Sequence, residues 1–161
     1  MKGINTSGNV IKVLGDGIER EVVYRGSETL YPGCIVVPYA GTIAPTGAFD
    51  GSTGVVAAPT SPIGRMSIAV VNTTSANGRT LLAEYNDGDQ IPVWYPEKGA
   101  KARACIATTA SATKGNLLAA VKDGSGMVEV TADPASAIGI ATEDMPTGDA
   151  GLPTLIEMEV F

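Results

Sequence analysis

The 161-residue sequence predicts an all-β protein, and three observations carry that expectation. Its apolar residues gather in short, β-branched runs bounded by Gly, Pro, Asn or Asp, the pattern of strands closed off by turns. Apolar residues at helical spacing are almost absent, and 20 Gly and 10 Pro supply the turns that a chain of many short strands needs. With 44% apolar and 17% charged residues the chain is expected to fold as one ordinary domain or two small modules. Its length suffices to build a core without a disulfide or metal.

Taken in order, the first element is ambiguous. Asn5–Asn9 is polar and contains Gly, while Val10, Ile11, Val13 and Leu14 make a short apolar strand. Residues 1–14 are either an extended arm that adds a strand to a neighbour's open edge or the first strand of the chain's own sheet. On the arm reading Ile4, Val10, Ile11, Val13 and Leu14 are the candidate contact residues. Residues 15–161 then form a single β domain, with strands expected at Glu21–Tyr24, Cys34–Pro38, Gly54–Ala58, Met66–Asn72, Thr80–Glu84, Gln90–Tyr95, Lys101–Thr108, Asn116–Val121, Met127–Thr131, Ile138–Thr142 and Thr154–Phe161. Strands at such spacing suit a barrel or sandwich.

The turns agree with this reading. Tyr31-Pro32-Gly33 suits a type II turn, because Pro presets φ and Gly accepts a positive one. Asn86-Asp87-Gly88-Asp89 and Lys122-Asp123-Gly124-Ser125-Gly126 are dense turns between strands. Pro92 cannot donate to a ladder, so an edge or a bulge is expected there. Only Asp133–Ala137 fits a short helix.

An internal echo accompanies the strands. Pro32-Gly33, Asp50-Gly51, Val55-Val56, Ile63-Gly64 and Gln90–Trp94 run parallel to Lys114-Gly115, Asp123-Gly124, Val128–Val130, Ile138-Gly139 and Thr154–Val160. Each series reads strand, Asp-Gly turn, strand, Ile-Gly strand, closing strand. Two similar modules, about 31–96 and 113–161, are therefore an alternative to one continuous domain, and a shared grammar of small β proteins is the other explanation.

Composition excludes several chemistries. With no His, the chain holds no Ser–His or Cys–His nucleophile pair and no His-ligated metal. Asp87 with Asp89, and Glu143 with Asp144, are the candidate carboxylate pairs; neither matches a calcium loop, and turn residues are the better explanation. Gly51-Ser52-Thr53-Gly54 lacks the Lys and the following helix of a phosphate loop, and Lys114 and Lys122 stand in turns. No catalytic, cofactor or metal residue emerges.

Cys34 and Cys105 each sit in an apolar run and read as small buried hydrophobes. No signal peptide or membrane span is expected, which places synthesis in a reducing cytoplasm.

Net charge is −6, against nucleic-acid binding. Residues 1–110 carry nine basic and nine acidic side chains and residues 111–161 two and eight, so the acidic excess lies in the last third, expected to face water. Lys98, Lys101 and Arg103 form either a contact for an acidic partner or an ordinary solvated edge. From Leu30 to Gly78 only Asp50 and Arg65 are charged. That deficit marks either a subunit interface or core with uncharged loops.

Thr113-Lys114-Gly115-Asn116-Leu117-Leu118, Asp123-Gly124, Val128-Glu129-Val130, Ala137-Ile138-Gly139-Ile140-Ala141-Thr142-Glu143 and Leu155-Ile156-Glu157-Met158-Glu159-Val160 together resemble viral head-decoration proteins, the capsid cement proteins of tailed phages. The resemblance covers about the last fifty residues, with a looser match from Tyr31 to Tyr95. It implies a small β-barrel or β-tulip-like domain with little helix, a homotrimer, and the major capsid protein as partner. It also implies a place on the capsid outer surface, no enzymatic activity and no cofactor. On the arm reading, Ile4, Val10, Ile11, Val13 and Leu14, together with the uncharged middle, are expected to touch the shell or a sister subunit. The chain departs from the smallest members in its length and its long uncharged middle. A tail, fibre or carbohydrate-binding module of a virion is the rival reading. A glycan-cleaving β enzyme would call for more than eight aromatics to stack sugars.

Overall fold

The computed structural model describes residues 11–38, 55–57, 69–71, 84–107, 111–121, 123–145 and 154–161. The protein is all-β, and among the described residues there is no helix. The strands are β1 (Lys12–Leu14), β2 (Gly17–Tyr24), β3 (Ile35–Pro38), β4 (Val55–Ala57), β5 (Ala69–Val71), β6 (Gln90–Pro96), β7 (Lys101–Cys105), β8 (Leu117–Ala120), β9 (Val128–Thr131), β10 (Gly139–Ala141) and β11 (Leu155–Val160).

The pairings repeat. In the first half β2 pairs β6, β6 pairs β5, β5 pairs β3 and β3 pairs β4, all antiparallel, and β4 returns to β2 in parallel, closing the ring. In the second half β7 pairs β11, β11 pairs β10, β10 pairs β8 and β8 pairs β9, again all antiparallel. Ile106, the residue after β7, then pairs in parallel with Val128 of β9, as β2 does with β4. Strand for strand, β2 to β6 correspond to β7 to β11 in order, direction and partner. The echo in the sequence thus has a topological counterpart, and each module begins one strand earlier than the echo implies. The first module spans 17–96 and the second 101–161.

Packing joins the modules. One buried cluster combines Ile35 and Trp94 of the first with Ala102, Ala104, Leu118, Ile138, Ile156 and Met158 of the second, together with Ile11. The other combines Val22, Tyr24, Leu30, Val36, Tyr85, Ile91 and Val93 with Cys105 of β7. Fully burying an aliphatic or aromatic side chain contributes about 1.5–3 kcal/mol, so these shared residues tie the two halves into one structure. Alternation along β11 reflects this packing: Ile156, Met158 and Val160 point inward while Glu159 between them is exposed.

Several expectations are corrected. Residues 11–14 are not an arm: the carbonyl of Ile11 accepts from Arg103 N–H at 2.8 Å, Ile11 is fully buried, and β1 pairs β7. Any arm therefore ends by residue 10, and Ile4 and Val10 lie outside the described residues. The expected helix at Asp133–Ala137 is a turn, because Asp133 takes the Ala135 amide on its carboxylate at 3.0 Å and the Ser136 amide on its carbonyl at 3.3 Å. Of the edge or bulge expected at Pro92, no bulge forms, since the β2–β6 register runs unbroken from Gly17↔Pro96 to Val23↔Gln90; on the other side the pairs with β5 stop at Val71↔Val93, so among the described residues Pro92 has no ladder partner there.

The strand expected at Thr80–Glu84 lies mostly outside the described residues, and Tyr85 beside it makes an isolated pair with Leu30. Of the uncharged stretch, Leu30 and Pro32–Val36 are core, and most of residues 39–78 lies outside the described residues. The Tyr31–Cys34 turn forms as expected, with Cys34 N–H donating to Tyr31 O at 3.0 Å and Gly33 at φ 96°.

Candidate functional site

The acidic pairs are engaged in holding backbone. Asp87 accepts from Gly26 N–H at 3.2 Å and pairs with Arg25 at 3.2 Å, and Asp89 accepts from Asn86 N–H at 2.8 Å. Glu143 accepts from Glu157 N–H at 3.0 Å and Asp144 from Lys114 N–H at 2.9 Å. Each carboxylate thus takes up a backbone amide outside the ladder pairs, in the loops at Gly26, Asn86 and Lys114 and, for Glu143, at Glu157 of β11 beyond its last pair with β10. Asp123 behaves likewise: its bonds from Ser125 hold the carboxyl below its ordinary 3.8. Among the described residues no group of His, Cys, Asp or Glu could hold a metal ion. Nor is any described helix long and apolar enough to cross a membrane.

Of the basic cluster, Lys101 reaches Glu157 at 3.7 Å, Arg103 is half-buried, and Lys98 is exposed in the turn after β6. The acidic last third does face water, since Asp123, Glu129, Asp133, Asp144 and Glu159 are all exposed.

What remains is an apolar surface at β1 and the start of β2. β1 ends the six-strand order β1-β7-β11-β10-β8-β9, so its outer side carries no partner among the described residues. Leu14 is 62% exposed, Ile18 56% and Val13 36%, among the described residues the largest apolar exposures besides Val130 at 39% on β9. Leu14 and Ile18 stand on either side of the Gly15–Gly17 connection, among Lys12, Asp16, Glu19 and Arg20.

The backbone beneath this surface is firmly held. Lys12 Nζ lies 5.5 Å from the centre of the Trp94 ring, and Asp16 O accepts from Glu97 N–H at 3.0 Å. Gly17 is crossed so closely by Trp94 Nε1 and Tyr95 O that no Cβ fits there. Exposed apolar side chains on and beside a strand edge are suited to docking another chain: backbone groups on the open edge give affinity and the side chains give selectivity.

Of the residues singled out in the sequence, Val13 and Leu14 belong to this surface, and Ile11 beneath them belongs to the core. Ile18 was not singled out. Its signal is a lone large apolar residue within Asp16, Glu19, Arg20 and Glu21, where nothing in the chain's own pattern would bury it.

No protein-family model matches the chain, and no curated protein matches it in sequence. Its fold is similar to that of a solved structure, the N base of head fiber gp8.5 in bacteriophage phi29. The two share a TM-score of 0.52 at 12% sequence identity, over 91% of this chain and 95% of that one. At that identity the likeness is one of fold.

Proposed function

We propose that the chain is a non-catalytic structural protein of a phage virion that binds the outside of the mature head and stabilises the lattice of capsomers. The observation that carries this reading is the likeness over nearly the whole chain to the base of a phage head fiber. It is supported by the sequence resemblance to head-decoration proteins and by the acidic, solvent-facing last third. In this reading the domain is a β-tulip-like relative of those proteins, and it assembles as a homotrimer on the major capsid protein.

A ligand that binds only the mature shell stabilises it by mass action, and three tethered copies gain further through effective concentration. The surface of Val13, Leu14 and Ile18 is the proposed contact. A second reading, that the chain is the base of a head fibre rather than a cement, is favoured by what the similar structure is. Both place the protein on the head; they differ in whether heads lacking it lose stability or only a projection.

Sedimentation with purified heads that lack the protein tests the contact. Wild-type chain is expected to pellet with heads, and Leu14→Glu combined with Ile18→Glu to pellet at least about tenfold less. Undiminished binding by the double variant removes this surface from the interface. Light scattering tests the trimer, and a strictly monomeric chain that binds no heads contradicts the proposal.

A further inference from the structure

Cys34 and Cys105 come from different modules, 71 positions apart, and meet at one turn. Cys34 ends the Tyr31–Cys34 turn and leads into β3; Cys105 is the last residue of β7. Cys105 N–H donates to Gly33 O at 2.9 Å, and its thiol lies 3.4 Å from Pro32 O. The Cys34 sulfur is reached by Tyr31 N–H at 3.4 Å and lies 3.6 Å from Ser125 O. Both side chains belong to the same buried cluster. A backbone bond from residue 105 to the carbonyl just before Cys34 keeps the two α-carbons within the reach of about 7 Å that a disulfide tolerates.

We propose that Cys34 and Cys105 are a latent intramolecular disulfide that, on oxidation by a peroxide, covalently joins the two β-modules. The order of events follows from the geometry: the Tyr31 amide 3.4 Å from the Cys34 sulfur steadies a thiolate there, whereas the Cys105 thiol donates to the Pro32 carbonyl. The hydrogen bond with Cys105 and the Tyr31 amide both favour the Cys34 thiolate. The neighbouring Cys34 side chain, together with burial, holds the Cys105 thiol well above its ordinary 9.0.

Cys34 thiolate therefore attacks one oxygen of hydrogen peroxide. The O–O bond breaks, the leaving hydroxide takes up the proton lost from Cys34 and departs as water, and Cys34 becomes a sulfenic acid. The Cys105 sulfur then attacks the Cys34 sulfur. The S–O bond breaks, and the hydroxyl leaves as water with the Cys105 proton. Two thiols and one peroxide give one disulfide and two waters; the thiols are oxidised by two electrons and the peroxide is reduced. Both sulfurs are buried, so the peroxide enters through local opening, and the reaction is slow in the native state.

The test treats the intact native protein with hydrogen peroxide, then denatures it and labels remaining thiols with a maleimide. The expected chain is lighter by two hydrogen atoms, takes no label, and recovers both thiols with reductant. Trypsin is expected to yield peptides 26–65 and 104–114 joined. The oxidised chain is expected to melt about 5 °C or more above the reduced one, because the bridge restricts the unfolded chain. In Cys105→Ser no intramolecular bridge can form, and Cys34 is expected to stop as sulfenic acid. Should that variant not fold, the wild-type mass and joined peptides decide alone. Retention of both thiols, oxidation to sulfinic acid without bridging, or dimers linked between chains would each overturn the proposal.

Discussion

The two modules share every strand pairing and differ in what fills them. The cluster centred on the first packs Tyr24 and Tyr85 against aliphatic residues, Cys34 and Cys105, while the cluster centred on the second is built from Ala, Leu, Ile, Val and Met around Trp94 of β6. Connections differ as well: residues 39–54 join β3 to β4, whereas 121–127 join β8 to β9. One pairing scheme therefore tolerates two quite different cores and loop sets, since the scheme is fixed by which strands neighbour each other and the interior only has to be filled.

The edges also differ. β7 has β1 beside it, tied through Ala102↔Lys12 and Lys101↔Leu14, whereas β2 keeps Ile18 exposed at the corresponding end. β1 thus extends the sheet of the second module, and the exposed Leu14 lies where it stops.

The largest expected effect comes from the residue that belongs to both. Trp94 lies on β6 of the first module and packs in the cluster dominated by the second. Trp94→Ala is expected to destabilise the protein by about 3–5 kcal/mol, in one cooperative transition followed by calorimetry. Two separate transitions would mean that the modules fold independently.

Different groups are expected to weaken the fold at opposite ends of the pH range. Burial raises the hydroxyls of Tyr24 and Tyr95 above their ordinary 10.0, the former despite its 2.7 Å bond to Glu28 O. A raised pKa in the fold means that the native state holds its protons more tightly than the unfolded chain does. Stability is then full below about pH 10 and falls as pH rises through the folded values. Asp123, in the second module, is lowered from 3.8, so its smaller contribution is full above that pH and is lost on acidification below it. Denaturation midpoints against pH are expected to show the alkaline loss in wild type and less of it in Tyr95→Phe.

The smallest effect is expected at Lys101, where a half-exposed ion pair with Glu157 is screened by solvent. Lys101→Ala is expected to change stability by no more than about 0.5 kcal/mol, and less in high salt, by urea titration. A larger loss would show that the β7–β11 seam depends on charge more than the β2–β6 seam does.

The second module is the more legible in sequence. β8 passes to β9 through the Asp123-Gly124 turn and β10 opens on Gly139, so local residues mark these boundaries. The apolar pattern starts β2 at Glu21, four residues late, because Ile18, Glu19 and Arg20 show no apolar alternation and become strand only by pairing with Tyr95, Trp94 and Val93. The burial of Ile11 is equally hidden: a short apolar run does not say whether its partner is β7 of the same chain or a neighbour. Asp133-Pro134 begins a helix and an Asx turn equally well, and so short a segment cannot sustain a helix. Of the surface, Val13 and Leu14 are visible as apolar residues near the start. Ile18 is not, since exposure depends on the strand order rather than on spacing.

Electron cryomicroscopy of virions with and without the protein tests the head-surface assignment most directly. The expected result is density of two-module size on the outside of the capsid, absent from particles that lack the chain and lost with Leu14→Glu and Ile18→Glu. Density on the tail, or heads identical with and without the chain, would contradict it.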